Sequence, residues 1–284
     1  MMPSIASLSS AQRQQTTLRL RKELDSTPIR WDVVRACFLA DGAAVDASLQ
    51  TAALDGRVDI VGSLLDLGAD VNGVGSSGNT ALMNAATMGA VDCVQLLIDC
   101  GARVNQSDAH GWTALMGAAL NGYADALRVL LAHGAVADQV DRRGYAALRY
   151  AAREGHAESV HVLLEMGACV DLRAPDGTTA LLAVVYERAQ PNVIPALIAG
   201  GADPLAAGAD GRTALDLLDL RYPGRHGDAV MREALDDSLA RLPNPALIER
   251  VLAALGPERA GRLLPRCVVA QAQRTRTGAW YRRT

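Results

Sequence analysis

The sequence is short of several residue types, and each shortage narrows what the chain can be. Aromatic residues are only 4% of its 284 residues, and Phe38 is the sole phenylalanine. A core with so few rings must be filled by Leu, Val, Ile and Ala, which suits close helix–helix packing. Lys22 is the only lysine among 28 basic residues. With the abundant alanine, that bias suggests GC-rich coding and a bacterial source. Cysteines number five (Cys37, Cys93, Cys100, Cys169, Cys267), an odd count without metal-ligand spacing. Cys93 and Cys100 lie seven residues apart on an expected helix, about 10 Å and too far to bridge. Reduced thiols and a cytoplasmic location are therefore expected. No apolar run approaches the roughly 18 residues of a membrane span, and no apolar stretch of a secretory signal opens the chain.

Catalytic and cofactor motifs are also scarce. The five histidines are scattered, and His156 and His161 are five apart, not the three or four that share one helix face, so no metal site is expected. There is no nucleophile elbow and no phosphate-binding loop, and Lys22 is nowhere near one. Cys100 and Cys169 close Leu-rich helices without a paired histidine base, which argues against a catalytic thiol. Asp236 and Asp237 are adjacent and face apart on a helix. Gly73 to Gly78 does match the dinucleotide fingerprint, with Asp99 about 20 residues beyond, but that motif needs a preceding strand. Here Asp59 to Leu67 reads as a helix, so a turn-rich loop is expected and no cofactor.

What the chain has in quantity is a repeat. Gly78, Gly111, Gly144, Gly177 and Gly211 are spaced 33, 33, 33 and 34 residues apart. Near-copies follow each: Thr80-Ala81-Leu82, Thr113-Ala114-Leu115, Ala146-Ala147-Leu148, Thr179-Ala180-Leu181, Thr213-Ala214-Leu215. The Thr serves as an N-cap. Small pairs such as Ala85-Ala86 and Ala118-Ala119 let two helices approach closely. Gly89, Gly122 and Gly155 then end the first helix, as glycine takes the left-handed cap without strain. Leu-rich runs such as Val129-Leu130-Leu131 form the buried face of a second helix, closed by Gly-Ala at 101–102, 134–135, 167–168 and 201–202. The polar links between units read as projecting hairpins.

This pattern, Gly-x-Thr-Ala-Leu, Ala-Ala-x-x-Gly and Leu-Leu-x-x-Gly-Ala-x-Val, resembles the ankyrin repeat over roughly residues 46–220. The resemblance implies an all-α solenoid of helix–turn–helix units joined by projecting β-hairpin loops, with a helical C-terminal extension. Units start near 46, 75, 108, 141, 174 and 208. A half-unit from Trp31 to Ala43 reads as a second helix ending in Gly42-Ala43, with a hairpin deleted before Leu49. The family's Pro is Ala throughout, and its His position holds Met83, Met116, Arg149, Leu182 and Asp216. The fifth unit is irregular: Val184-Val185 replaces Ala-Ala, Arg188 replaces Gly, and Pro191 and Pro195 flank an extra residue. A tolerated loop insertion is the favoured reading, with a bend of the stack toward a partner as the alternative.

Charge divides the chain into three. Residues 1–45 carry net +2, residues 46–220 net −11 and residues 221–284 net +6. Residues 1–30 read as a tail and helix: residues 1–16 are Ser/Gln-rich without an acid, and a helix is expected over Gln12–Leu24. Its alternative reading is an export signal of a secreted bacterial effector acting on a host protein. Residues 221–284 supply helices at 230–242 and 246–255, as a cap that a solenoid requires. A tail with Arg274, Arg276, Arg282 and Arg283 around Trp280 and Tyr281 follows. It reads as solvated, with membrane or nucleic-acid contact as the alternative.

Function, by resemblance, is binding of another protein in the manner of an adaptor, inhibitor or scaffold, by a monomer without enzymatic activity. Ankyrin-like stacks bind through hairpin tips and the exposed side of the first helices, which line a concave groove. Six units would present roughly 50–60 Å of it. The hairpin positions carried over include Asn79, His110, Trp112, Arg142, Arg143, Tyr145, Asp176, Thr178 and Arg212. The first-helix positions include Leu120, Asn121, Arg153 and Tyr186. Trp, Tyr and Arg are enriched in binding hot spots, so Trp112, Tyr145 and the nearby arginines imply a partner with carboxylates and an apolar anchor.

Overall fold

In a computed structural model the described residues are 10–26, 42–75, 77–187, 190–220, 226–242 and 245–255, with single positions at 29, 34, 260, 261 and 263. The chain divides into two compact units, residues 1–142 and 143–284. Trp31–Asp41, apart from Val34, the Arg188 position, Tyr222-Pro223-Gly224 and the arginine tail lie outside the described residues.

The first unit holds α1 (Ser10–Leu24), α2 (Gly42–Leu54), α3 (Val58–Asp66), α4 (Ala81–Thr87), α5 (Val91–Asp99), α6 (Ala114–Leu120) and α7 (Ala124–Ala132). First helices stack as α2 on α4 on α6, and second helices as α3 on α5 on α7. Helix α1 covers α2 through Leu20 and Leu24, both buried. The second unit holds α8 (Ala147–Glu154), α9 (Ala157–Glu165), α10 (Ala180–Glu187), a 3₁₀ turn (Pro191–Val193), α11 (Ile194–Ala199), α12 (Ala214–Leu220), α13 (His226–Ala240) and α14 (Pro245–Ala254). There α8, α10 and α12 stack in one layer, and α9, α11 and α13 in the other. The irregular fifth repeat shows as a six-residue α11 with Pro195 in its first turn, where the second helices of the preceding repeats have nine.

The repeated residues do what local chemistry requires. Thr80, Thr113, Thr179 and Thr213 accept the N–H three residues on through Oγ1, at 3.2–3.3 Å. Ala146 stands where a fifth would be, in the third of these repeats, and α8 starts with no side-chain cap. Both Ala-Ala pairs and Ala151-Ala152 are fully buried. Gly89, Gly122 and Gly155 close first helices at φ +68°, +79° and +82°, a region that costs a Cβ-bearing residue about 1 kcal/mol.

Successive repeats are also stitched by one polar position. The Asn72 amide donates to Gly101 O while its Oδ1 accepts the Arg103 N–H at 2.7 Å. Asn105 repeats both bonds with Gly134 O and the Val136 N–H, each 2.8 Å. Asp171 accepts the Asp203 N–H, and burial pushes the Asp171 carboxyl up.

Asp46 accepts the Asp70 N–H in the same way, but across 24 residues instead of 31, as expected where a hairpin is deleted. The reading of Gly42-Ala43 as the end of a helix is corrected. Both residues lie in the first turn of α2, because without a hairpin the chain turns directly into the first helix.

The links between repeats are tight turns; no sheet forms among the described residues. Four share one pattern, in which an N–H bonds the carbonyl four residues on: Gly75 to Asn79, Asp108 to Trp112, Ala174 to Thr178 and Gly208 to Arg212, at 2.9–3.0 Å. Only Ser107 and Thr113 form an antiparallel bridge.

Candidate functional site

The turns and the C-terminal ends of the first helices hold the residues singled out from sequence, and each unit arranges them differently. In residues 75–142 the turn residues are mostly occupied with their own turn. The Asp108 carboxylate accepts the His110 and Trp112 N–H groups at 2.7 Å. The His110 carbonyl accepts the Arg142 N–H at 2.9 Å, joining neighbouring turns. Asn79 is half-buried and bonds Asn84, whose amide donates to Gln50 O. Trp112 is half-buried, and the His110 and Arg142 side chains are exposed. On the helix ends Leu120 is half-buried and Asn121 exposed.

In residues 143–212 the same kinds of position form an ion-paired, aromatic cluster. Tyr145 is half-buried, with the Arg149 guanidinium 3.8 Å and the Arg143 guanidinium 4.6 Å from its ring centre. Tyr150 meets Tyr145 edge-on at 6.2 Å. Arg149 also donates to Thr178 Oγ1 and, at 3.0 Å, to Glu187 Oε1. Arg153 pairs with Glu154 at 2.7 Å and lies 3.8 Å from Glu187. On the turns, Thr178 donates its hydroxyl to Asp176 Oδ1, which holds that carboxyl below the usual carboxylate range. The Tyr186 hydroxyl donates to Asp210 Oδ2 at 2.5 Å and does the same there, with Arg212 3.9 Å away.

Arg149 was not among the residues singled out from sequence, although it anchors this cluster. Its side chain is only 10% exposed. It occupies the position that holds Met83 and Met116 in earlier repeats, both buried. A lone basic residue between the apolar Met83, Met116 and Leu182 of the same column was the available signal. The arginines expected to attract carboxylates from a partner include Arg153, which already has Glu154 and Glu187.

The glycine-rich segment 73–78 lies between α3 and α4, and a helix precedes it where the dinucleotide motif needs a strand. The Gln50 amide donates to Gly73 O at 3.0 Å, and a Cβ on Gly75 would strike the Gln50 side-chain amide. Close approach by Gln50 therefore explains Gly75, whereas a Cβ on Gly73 would crowd Asp70 O and the Asp46 side chain. Among the described residues no cluster of His, Cys, Asp or Glu is placed to hold a metal ion. Cys93 is buried, and burial pushes its thiol up; Cys100 and Cys169 are exposed, and none of the three is in a disulfide.

Comparison with protein families agrees with the repeat geometry. A family model described as ankyrin repeats (3 copies) matches residues 36–108 and 101–174. The chain belongs to the ankyrin-repeat family. No curated protein matches it. Ankyrin repeats are in general modules of protein–protein interaction.

Proposed function

We propose that this chain is a non-catalytic binding protein that docks another protein on its turns and on the exposed ends of its first helices. One observation carries the reading. Positions that build the scaffold recur from repeat to repeat, whereas the column at the end of the first helices reads Leu54, Thr87, Leu120, Arg153, Tyr186. Neither capping nor helix packing asks for that variety, and Leu54, 41% exposed, keeps apolar surface open in this column. Tyr145 and its arginines add a rigid aromatic patch of the kind enriched in interfaces.

The test is affinity capture from a lysate of the source organism, comparing wild type with Trp112→Ala and Tyr145→Ala separately, each checked for folding by circular dichroism. A protein held by wild type and released by either folded variant supports the reading. A protein held equally by all three, or none held at all, counts against it.

A further inference from the structure

The column of variable helix ends is uncharged throughout the first unit, and this indicates the partner's chemistry. Leu54, Thr87 and Leu120 stand 33 residues apart at the ends of α2, α4 and α6, which pack in sequence. Leu54 is 41% exposed, and Met88 beside Thr87 is 50% exposed. The polar groups of this strip are turned back on their own helices. Thr87 Oγ1 donates to Met83 O at 2.7 Å, and the Asn121 amide donates to Gly117 O at 3.0 Å. Gly117 lets α4 and α6 approach closely, since a Cβ there would strike Thr87 Oγ1. From Thr80 to Val91 and from Thr113 to Ala124 no charged residue occurs. Asp55, at the Leu54 end, is the one charge on the strip; it is exposed and makes no ion pair among the described residues.

An uncharged strip cannot compensate a charge brought against it, because burying an unpaired ion is costly. Packed helices lie roughly 8–10 Å apart, and two turns of an α-helix advance about 10.5 Å. A helix laid across α2, α4 and α6 therefore meets the strip with one side chain in every seven.

We infer that the first unit docks an amphipathic helix of a partner protein, with uncharged apolar residues at i, i+7 and i+14 and a basic residue at the end that faces Asp55. The inference rests on the protein-binding reading above and deepens it.

The experiment is selection of phage-displayed, helix-forming 18-residue peptides on the immobilised full chain. Selected peptides are then titrated against Leu120→Asp, Met88→Asp, Asp55→Lys and Arg153→Ala, all checked by thermal melts. Met88 is the more exposed site and guards against misfolding of the Leu120 variant. The expected peptides carry apolar residues at seven-residue spacing. They lose affinity about tenfold on Leu120→Asp and Met88→Asp, a few-fold on Asp55→Lys, and stay within about twofold on Arg153→Ala. Peptides rich in Asp and Glu that depend on Arg153 would overturn the inference while leaving protein binding intact. So would a selection that enriches nothing, or peptides indifferent to Leu120 and Met88; the capture experiment above then judges the wider reading separately.

Discussion

The two units run one scaffold with opposite surface chemistry. In residues 42–142 the ends of the first helices present Leu54, Thr87, Met88 and Leu120, with Met83 and Met116 buried beneath. In residues 143–255 the equivalent positions hold Arg153, Glu154, Tyr186 and Glu187, with Arg149 at the methionine position. First helices stack beneath both sets. What differs is the source of order: apolar burial in the first unit, and a guanidinium–carboxylate–aromatic network in the second. A repeat scaffold whose units contact only their neighbours can vary this way from unit to unit.

The largest effect should come from the shared position beneath the surface. Met116→Ala should destabilise by about 3 kcal/mol, as expected for a buried large-to-small change, and its cost should be insensitive to salt. Arg149→Ala should cost about 2 kcal/mol, because it removes two hydrogen-bonded partners and a stacked ring but leaves Glu187 partly solvated and near Arg153. That cost should shrink in 1 M salt, as measured by denaturant titration. A salt-independent Arg149 effect would break the contrast.

Two changes should make the second unit behave like the first. The hydroxyl of Ser159 is buried with no hydrogen-bond partner among the described residues, where the preceding repeat has buried Ala126. Ser159→Ala should therefore stabilise by about 1 kcal/mol. Asp171→Asn copies Asn72 and Asn105, keeping the acceptor for the Asp203 N–H and adding a donor. Burial raises the Asp171 pKa, so its contribution favours the fold at acid pH and is lost as pH rises from about 4 through the raised value. The variant should thus gain up to about 1 kcal/mol at pH 7, and less near pH 4.

Asp176 has the opposite sign. Its lowered pKa gives stability that is present above about pH 4 and lost as pH falls through the depressed value. Asp176→Asn should flatten that acid limb in a pH series of melts. The smallest effect is expected at the surface: Met88→Asp, at a side chain 50% exposed, should change stability by no more than about 0.5 kcal/mol.

The scaffold was readable because its determinants are local. Thr80 and Gly155 act on backbone groups within four residues, so their period exposes their role. Residues that act between repeats were harder to read. Asn72 and Asn105 sit in register, yet their partners lie 29–31 residues away. Gln50 explains the glycine at 75 only once α2 is placed beside that turn. Gly42-Ala43 imitates a helix end because the same dipeptide closes later helices; the missing hairpin makes it a helix start instead. Arg149 looked like one more helix-compatible substitute for the family's His, and its network with Thr178 and Glu187 spans 29 and 38 residues.

The most direct test of the account is site-specific photo-cross-linking with benzoylphenylalanine in the full chain. One version carries it at Asn121, on the end of a first helix, and another at Arg128, on the exposed face of second helix α7. The account predicts adducts with a partner protein from position 121 and none from position 128. Adducts from 128 alone would place the interface on the second-helix layer and contradict it.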